Sequence, residues 1–137
     1  MRKVTETVVH AFFDGERRKV RNTETDGKKL WLHSNAIAWH GERGNHTGIF
    51  LTLAGWNTPT TRERLNGVLA VMGHKRTQDG DLVLSIFQEK HLPYIGQHGV
   101  DGSSSDSRKL LLDPEAVLFI VHPNIARGLF AVRSIET

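Results

Sequence analysis

The sequence predicts an α+β fold: an antiparallel, hairpin-built sheet with one main helix, at about residues 60–72, packed on a face. Three observations predict it. Asp-Gly pairs at Asp14-Gly15 and Asp26-Gly27 stand between apolar runs, where a tight hairpin turn needs positive backbone angles. Thr60-Thr61-Arg62-Glu63 fits a reciprocal capping box, and Leu65, Val68, Leu69 and Met72 then recur at i, i+3, i+4 and i+7, one apolar stripe. The other apolar runs are short and bounded by glycine, proline and polar turn residues, with no internal repeat.

Taken in order, residues 8–13 read as a first strand, and the chain returns antiparallel over residues 16–23. After Asp26-Gly27, residues 30–33 and 36–39 are apolar and flank Ser34-Asn35. One continuous strand would place apolar groups on both faces, so a turn at Ser34-Asn35 joining two short strands is the preferred reading. Residues 41–47 are polar and carry glycines, which suggests a loop, and residues 49–53 form a strand buried largely on both faces. The helix starts either with the Thr60 box or with Thr58 as cap and Pro59 at the first helical position, and Gly73 supplies a left-handed stop. Beyond it lie a turn at 78–81, a strand at 82–87, a mobile loop at 93–107, a central strand at 117–121 and a last strand at 129–132.

A chain of 137 residues suits one domain, spanning 1–137. No cysteine is present, which excludes disulfides, thiolate zinc sites and a cysteine nucleophile. No run of about 18 apolar residues suggests a membrane span, and no secretory leader is expected at the start. The net charge of +3 is uneven: residues 1–76 hold 13 Lys/Arg against 7 Asp/Glu, and residues 77–137 hold 5 against 8. A basic half points to an anionic partner, unless the charge simply varies along a solvated surface.

Candidate binding residues fall in two places. Arg17, Lys19 and Arg21 share one parity on the predicted return strand, so they would project from one face about 7 Å apart, near the spacing of phosphates along a nucleic-acid strand. The alternative is that they guard an edge strand against sheet-to-sheet pairing. Residues 55–62 bring Trp56, Asn57, Thr58 and Arg62 to a helix start, with Asn66 one turn later on the flank of Arg62. Free amides and the macrodipole there favour an anion; the alternative is helix capping, with Trp56 in the core. The eight histidines include no H-x-x-x-H or H-E-x-x-H pair, and no metal or other cofactor is expected. G-x-S-x-G and Walker patterns are absent as well, so no catalytic residue is nominated.

Asn22-Thr23, residues 30–38 (LWLHSNAIA) and residues 55–67 (GWNTPTTRERLNG) together resemble a pattern of small proteins of tailed bacteriophages. In that pattern an Asn-Thr precedes L-x-L-H-G-N-x-I-A and then G-W-x-T-x-T-T-x-x-R-L-N. The resemblance spans about residues 11–70, with Ser34 where the pattern has glycine, and leaves residues 74–137 unmatched. It implies a phage or prophage origin and a bacterial host cytoplasm. The resulting expectation is a non-enzymatic accessory protein that binds nucleic acid or a nucleotide through its basic N-terminal half. Inhibition of a host protein by protein-protein contact is the alternative, and a small phosphodiesterase built on histidines such as His33 and His40 is the third class.

Overall fold

The computed structural model describes residues 1–72, 83–98, 109–121 and 132–135. It is the α+β fold expected, with mostly antiparallel sheets, but two helices stand among the described residues.

The first difference lies at the N-terminus, where residues 3–14 form helix α1 (Lys3–Asp14) in place of the expected strand. Thr5, Val8, Val9 and Phe12 are buried at i, i+3, i+4 and i+7, so the run has helical periodicity once Thr5 is counted with the apolar face. Asp14-Gly15 is accordingly a helix stop: Gly15 has φ of +74°, and the amides of Gly15 and Glu16 both donate to the Ala11 carbonyl. A positive φ serves a helix C-terminus as well as a hairpin, which is why the dipeptide misleads.

The return strand contracts to β1 (Arg18–Val20), which pairs antiparallel with β2 (Thr23–Thr25) across a turn at Arg21 and Asn22. Asp26 then organises the second Asp-Gly turn, its Oδ1 accepting from the amides of Lys28 and Lys29 at 2.8 and 2.9 Å. These backbone bonds, that from Lys29 foremost, hold the Asp26 carboxyl below its ordinary value.

Strands β3 (Lys29–Leu32) and β4 (Asn35–Arg43) form the expected hairpin, but the turn sits one residue earlier than expected, at His33 and Ser34, because Asn35 already pairs with Leu32. Leu30 faces Ala38 and Trp31 faces Ala36, so Ile37 is the extra residue of a bulge. The bulge lets consecutive Ile37 and Ala38 both be buried, which strict alternation forbids. The expected 41–47 loop is instead the end of one strand and the start of the next: β4 reaches Arg43, and β5 (His46–Thr52) begins after Gly44-Asn45. Strand β9 (Val117–Val121) pairs with β5 on one side and β10 (Val132–Ile135) on the other. The sheet order is β1-β2-β3-β4-β5-β9-β10, which places residues 117–121 in the interior of the sheet as expected. Residues 129–131 of the expected last strand lie outside the described residues, and β10 covers Val132–Ile135.

Helix α2 (Pro59–Val71) starts with the Thr58 cap, whose Oγ1 accepts from the Thr61 amide at 3.1 Å, and with Pro59 at its first position. Glu63 does not close a box with Thr60; its carboxylate turns to α1 instead. Leu65, Val68, Leu69 and Met72 are buried as the stripe requires. Gly73 and the turn at 78–81 lie outside the described residues.

A second sheet, in the order β6-β7-β8, comprises β6 (Val83–Glu89), β7 (Leu92–His98) and β8 (Lys109–Leu111). Residues 93–98 of the expected loop are therefore strand, with Pro93 and Ile95 buried, and residues 99–107 lie outside the described residues. Apolar packing overrides glycine-rich composition here: Ile95 sits opposite Ile86 and joins a core cluster that also holds Leu69 of α2 and Leu51 of β5. No helix among the described residues is long and apolar enough to cross a membrane.

Candidate functional site

Both motif blocks meet in one place. A cavity of about 470 Å³ opens between the β3–β4 turn and the start of α2. Leu32, Ile37 and Leu53 give it apolar walls, while His33, Asn35, Trp56 and Thr58 supply polar or aromatic groups. The first block contributes through its hairpin, since a two-residue turn leaves His33 and Asn35 at the sheet end. The second contributes because Ala54 and Gly55, with φ of +53° and +84°, turn the chain out of β5 toward the helix. Gly55 is then pinned to the Pro114 carbonyl, and Trp56 to that of Leu53. Trp56 is left 59% exposed, so the core alternative for this indole does not hold.

The anion site expected at the helix start is largely used up. Pro59 has no amide hydrogen, the Thr61 amide goes to Thr58 Oγ1 and the Arg62 amide to the Thr58 carbonyl. Thr60 is what remains of the first turn to offer an amide. No Lys or Arg is among the described residues that line the cavity.

The other nominated residues disperse. Arg62 donates to Asn57 and lines a second cavity, of about 420 Å³, with Glu63 and Asn66 on the far flank of α2. Asn66 grips β6: its Nδ2 donates to the Ile86 carbonyl at 2.8 Å and its Oδ1 accepts from the Ile86 amide at 2.6 Å. That clamp covers the open edge of β6. Arg17, Lys19 and Arg21 are all exposed but do not form one strand-spaced row. Arg17 precedes β1, Lys19 lies on it opposite Glu24, and Arg21 occupies the β1–β2 turn with φ of +55°. Arg21 is linked to the cavity rim only through its chain neighbour Asn22, whose carbonyl accepts from the His33 amide at 2.9 Å.

Asn35 was not nominated as a binding residue, and His33 only as one of a catalytic pair with His40, although both belong to the first motif block. Their signal is the unusual backbone: His33 and Ser34 have φ of +50° and +68°, where asparagine and glycine are the comfortable residues. His33 and His40 cannot act together on one bond. His40 lies five residues up β4 from Asn35, about 17 Å of strand, and its ring stacks on Phe12 while Nε2 meets the Phe12 carbonyl at 2.8 Å. Among the described residues no three His, Asp or Glu side chains group to hold a metal.

Behind the cavity a buried polar network joins the two helices to the sheet. Arg64 is 4% exposed; its Nε donates to Thr23 Oγ1 and its Nη1 to Thr5 Oγ1, each at 2.8 Å. The same Nη1 pairs with Glu63 at 2.5 Å, and Thr5 also donates to Glu63. Asn22-Thr23 of the resemblance is thus tied to the Arg-Leu-Asn end of the second block.

The family model of the Kyanoviridae Gp96 protein matches residues 1–108. The chain belongs to that family. It is a family of phage proteins, and the phage origin that the motif blocks imply holds. The family's match reaches well past residue 70, taking in β6 and β7 of the second sheet, so the region beyond the helix is not foreign to the Gp96 pattern. No curated protein and no solved structure matches the chain.

Proposed function

We propose that this Gp96-family protein is a small phage accessory protein that works in the host cytoplasm by binding, without turnover, a nucleotide or nucleic-acid strand. The base enters the cavity between the β3–β4 turn and α2. The observation that carries this reading is the exposed Trp56 at a cavity with apolar walls and a His33–Asn35 rim. An aromatic face beside an apolar slot suits a base, and exposed cations outside the slot suit its phosphates. The exposed Arg21 follows β1 and precedes Asn22, whose carbonyl accepts from the His33 amide, and Lys19 and Arg17 lie before it along the chain.

Titrating the chain with an oligothymidine at several salt concentrations tests the reading. Binding should fall steeply with salt, and replacing Arg17, Lys19 and Arg21 together by glutamine should lower the slope of log affinity against log salt by about 2 to 3. The melting temperature should hardly move, since exposed charges add little stability. Trp56→Ala should weaken binding by about 1 to 3 kcal/mol with the fold intact. Binding that ignores both changes would remove the proposal.

A second reading, inhibition of a host protein by direct contact, is favoured by Leu92, Leu110 and Leu111. They are 46%, 38% and 55% exposed on the second sheet, whose edge strand is β8. A pull-down from host lysate with and without nuclease separates the two. Capture that survives nuclease and high salt, and is lost when Leu111 is replaced by Lys, supports protein contact.

A further inference from the structure

A directed chain of hydrogen bonds runs from the buried network to the cavity. The Arg64 guanidinium can only donate, so Thr23 Oγ1 accepts from its Nε at 2.8 Å. The hydroxyl hydrogen of Thr23 then goes to Asn22 Oδ1, 2.9 Å away. With its oxygen so engaged, Asn22 presents Nδ2 to His33 Nε2 at 3.3 Å. An amide nitrogen donates, so Nε2 accepts, and the proton of the neutral ring belongs on Nδ1. The backbone supports the same placement: the His33 amide is bonded to the Asn22 carbonyl at 2.9 Å, and the turn holds His33 at φ of +50°. A residue kept in that region, where asparagine or glycine would sit more easily, is held there by its surroundings.

With Nε2 engaged by Asn22, Nδ1 is the ring nitrogen left to serve the cavity that His33 lines. We propose that His33 is a positioned hydrogen-bond donor of this cavity, its proton kept on Nδ1 by the chain from Arg64 through Thr23 and Asn22, and that it reads an acceptor atom on the edge of a base-like ligand. Asn35 also lines the cavity, and with its Nδ2 toward the His33 carbonyl at 3.4 Å its Oδ1 is the atom left to act as the complementary acceptor. A donor next to an acceptor matches the edge of a nucleobase, whereas a phosphate offers acceptors alone. With no Lys or Arg among the described residues that line the cavity, the base belongs inside it and the phosphate outside.

The ligand half of this inference rests on the base-binding reading; the proton position does not, and the experiment separates them. Long-range proton–nitrogen NMR spectra of the full chain labelled with nitrogen-15, at pH 8, report the tautomer of each histidine, and His33→Phe identifies the His33 signals by their loss. The Nδ1–H form is expected in the native protein, retained in Thr23→Ser and lost in Thr23→Val. Asn22→Leu, at a part-exposed position, gives the same loss while leaving the bonds that Arg64 itself makes to Thr23, Thr5 and Glu63 in place. An Nε2–H ring in the native protein, or one indifferent to Asn22→Leu, overturns the proposal. In the second arm, an octathymidine and an abasic octamer are titrated against native protein and His33→Phe. The variant should bind the octathymidine about three- to tenfold more weakly, the worth of one ordinary hydrogen bond, and the abasic strand equally well. Equal loss for both probes, or none, overturns the reading role of His33. Failure of the native protein to bind any probe overturns base binding itself, whatever the tautomer.

Discussion

Arg64 Nε lies 2.8 Å from Thr23 Oγ1, a bond that ties the middle of α2 to β2 across 41 positions of sequence. The same guanidinium reaches Thr5 of α1 and pairs with Glu63. One buried cation thus fixes how two helices and the first hairpin meet. Replacing it takes a charged donor from a carboxylate and from two buried hydroxyls at once. Arg64→Met should cost about 3 kcal/mol or more in urea unfolding, the lower range for breaking a buried pair because Glu63 keeps some solvent. Thr23→Val, which removes a single partner, should cost about 1 to 2 kcal/mol.

Gly67→Ala sets two effects against each other. Alanine is favoured over glycine inside a helix by about 0.5 to 1 kcal/mol. A Cβ at this position, however, would run into Thr5 Cγ2, and Thr5 cannot swing aside because its hydroxyl is held by Arg64 and Glu63. Overpacking costs about 1 to 3 kcal/mol, so the substitution should lower the unfolding midpoint. A rise would show that α1 and α2 yield at this crossing.

Ser34→Gly should act the other way. Ser34 has φ of +68° and is exposed, so glycine relieves a left-handed strain of about 1 to 2 kcal/mol at the cost of about 0.5 to 1 kcal/mol of chain entropy. A small increase in melting temperature is expected. The tautomer and the affinity for octathymidine should remain as in the parent.

The acid limb of stability should carry a contribution from Asp26. Its folded-state value is lowered from 3.8, chiefly by the backbone bonds from Lys29 and Lys28. A lowered carboxylate stabilises the fold above its unfolded value, and that contribution is lost as pH falls through the folded one. Asp26→Asn, which keeps an acceptor but no charge, should therefore be less stable than the parent at pH 7. The difference should fade below about pH 4 as the parent carboxylate protonates. A gap between the two melting curves that persists unchanged at pH 2 would remove the charge from the account.

What the sequence determined by itself is local. The stripe from Leu65 to Met72 specifies α2 because helical neighbours three and four apart share a face whatever else the chain does. That a hairpin turn interrupts residues 30–39 follows from parity, to within one residue, and the phage origin that the motif blocks imply agrees with the family match. Tertiary structure decided the rest. Asp14-Gly15 offers a positive φ that suits hairpin and helix end alike, and the choice fell to packing of Thr5, Val8, Val9 and Phe12. Basic residues at 17, 19 and 21 read as a row only while residues 16–23 read as one strand; the β1–β2 turn at Arg21 divides them. The cavity has no signature in spacing at all, because His33 and Trp56 are brought together by a β-bulge, a chain reversal after β5 and a buried arginine that hold the hairpin against α2. Such contacts are made between surfaces far apart in sequence, and only the folded chain sets their distances.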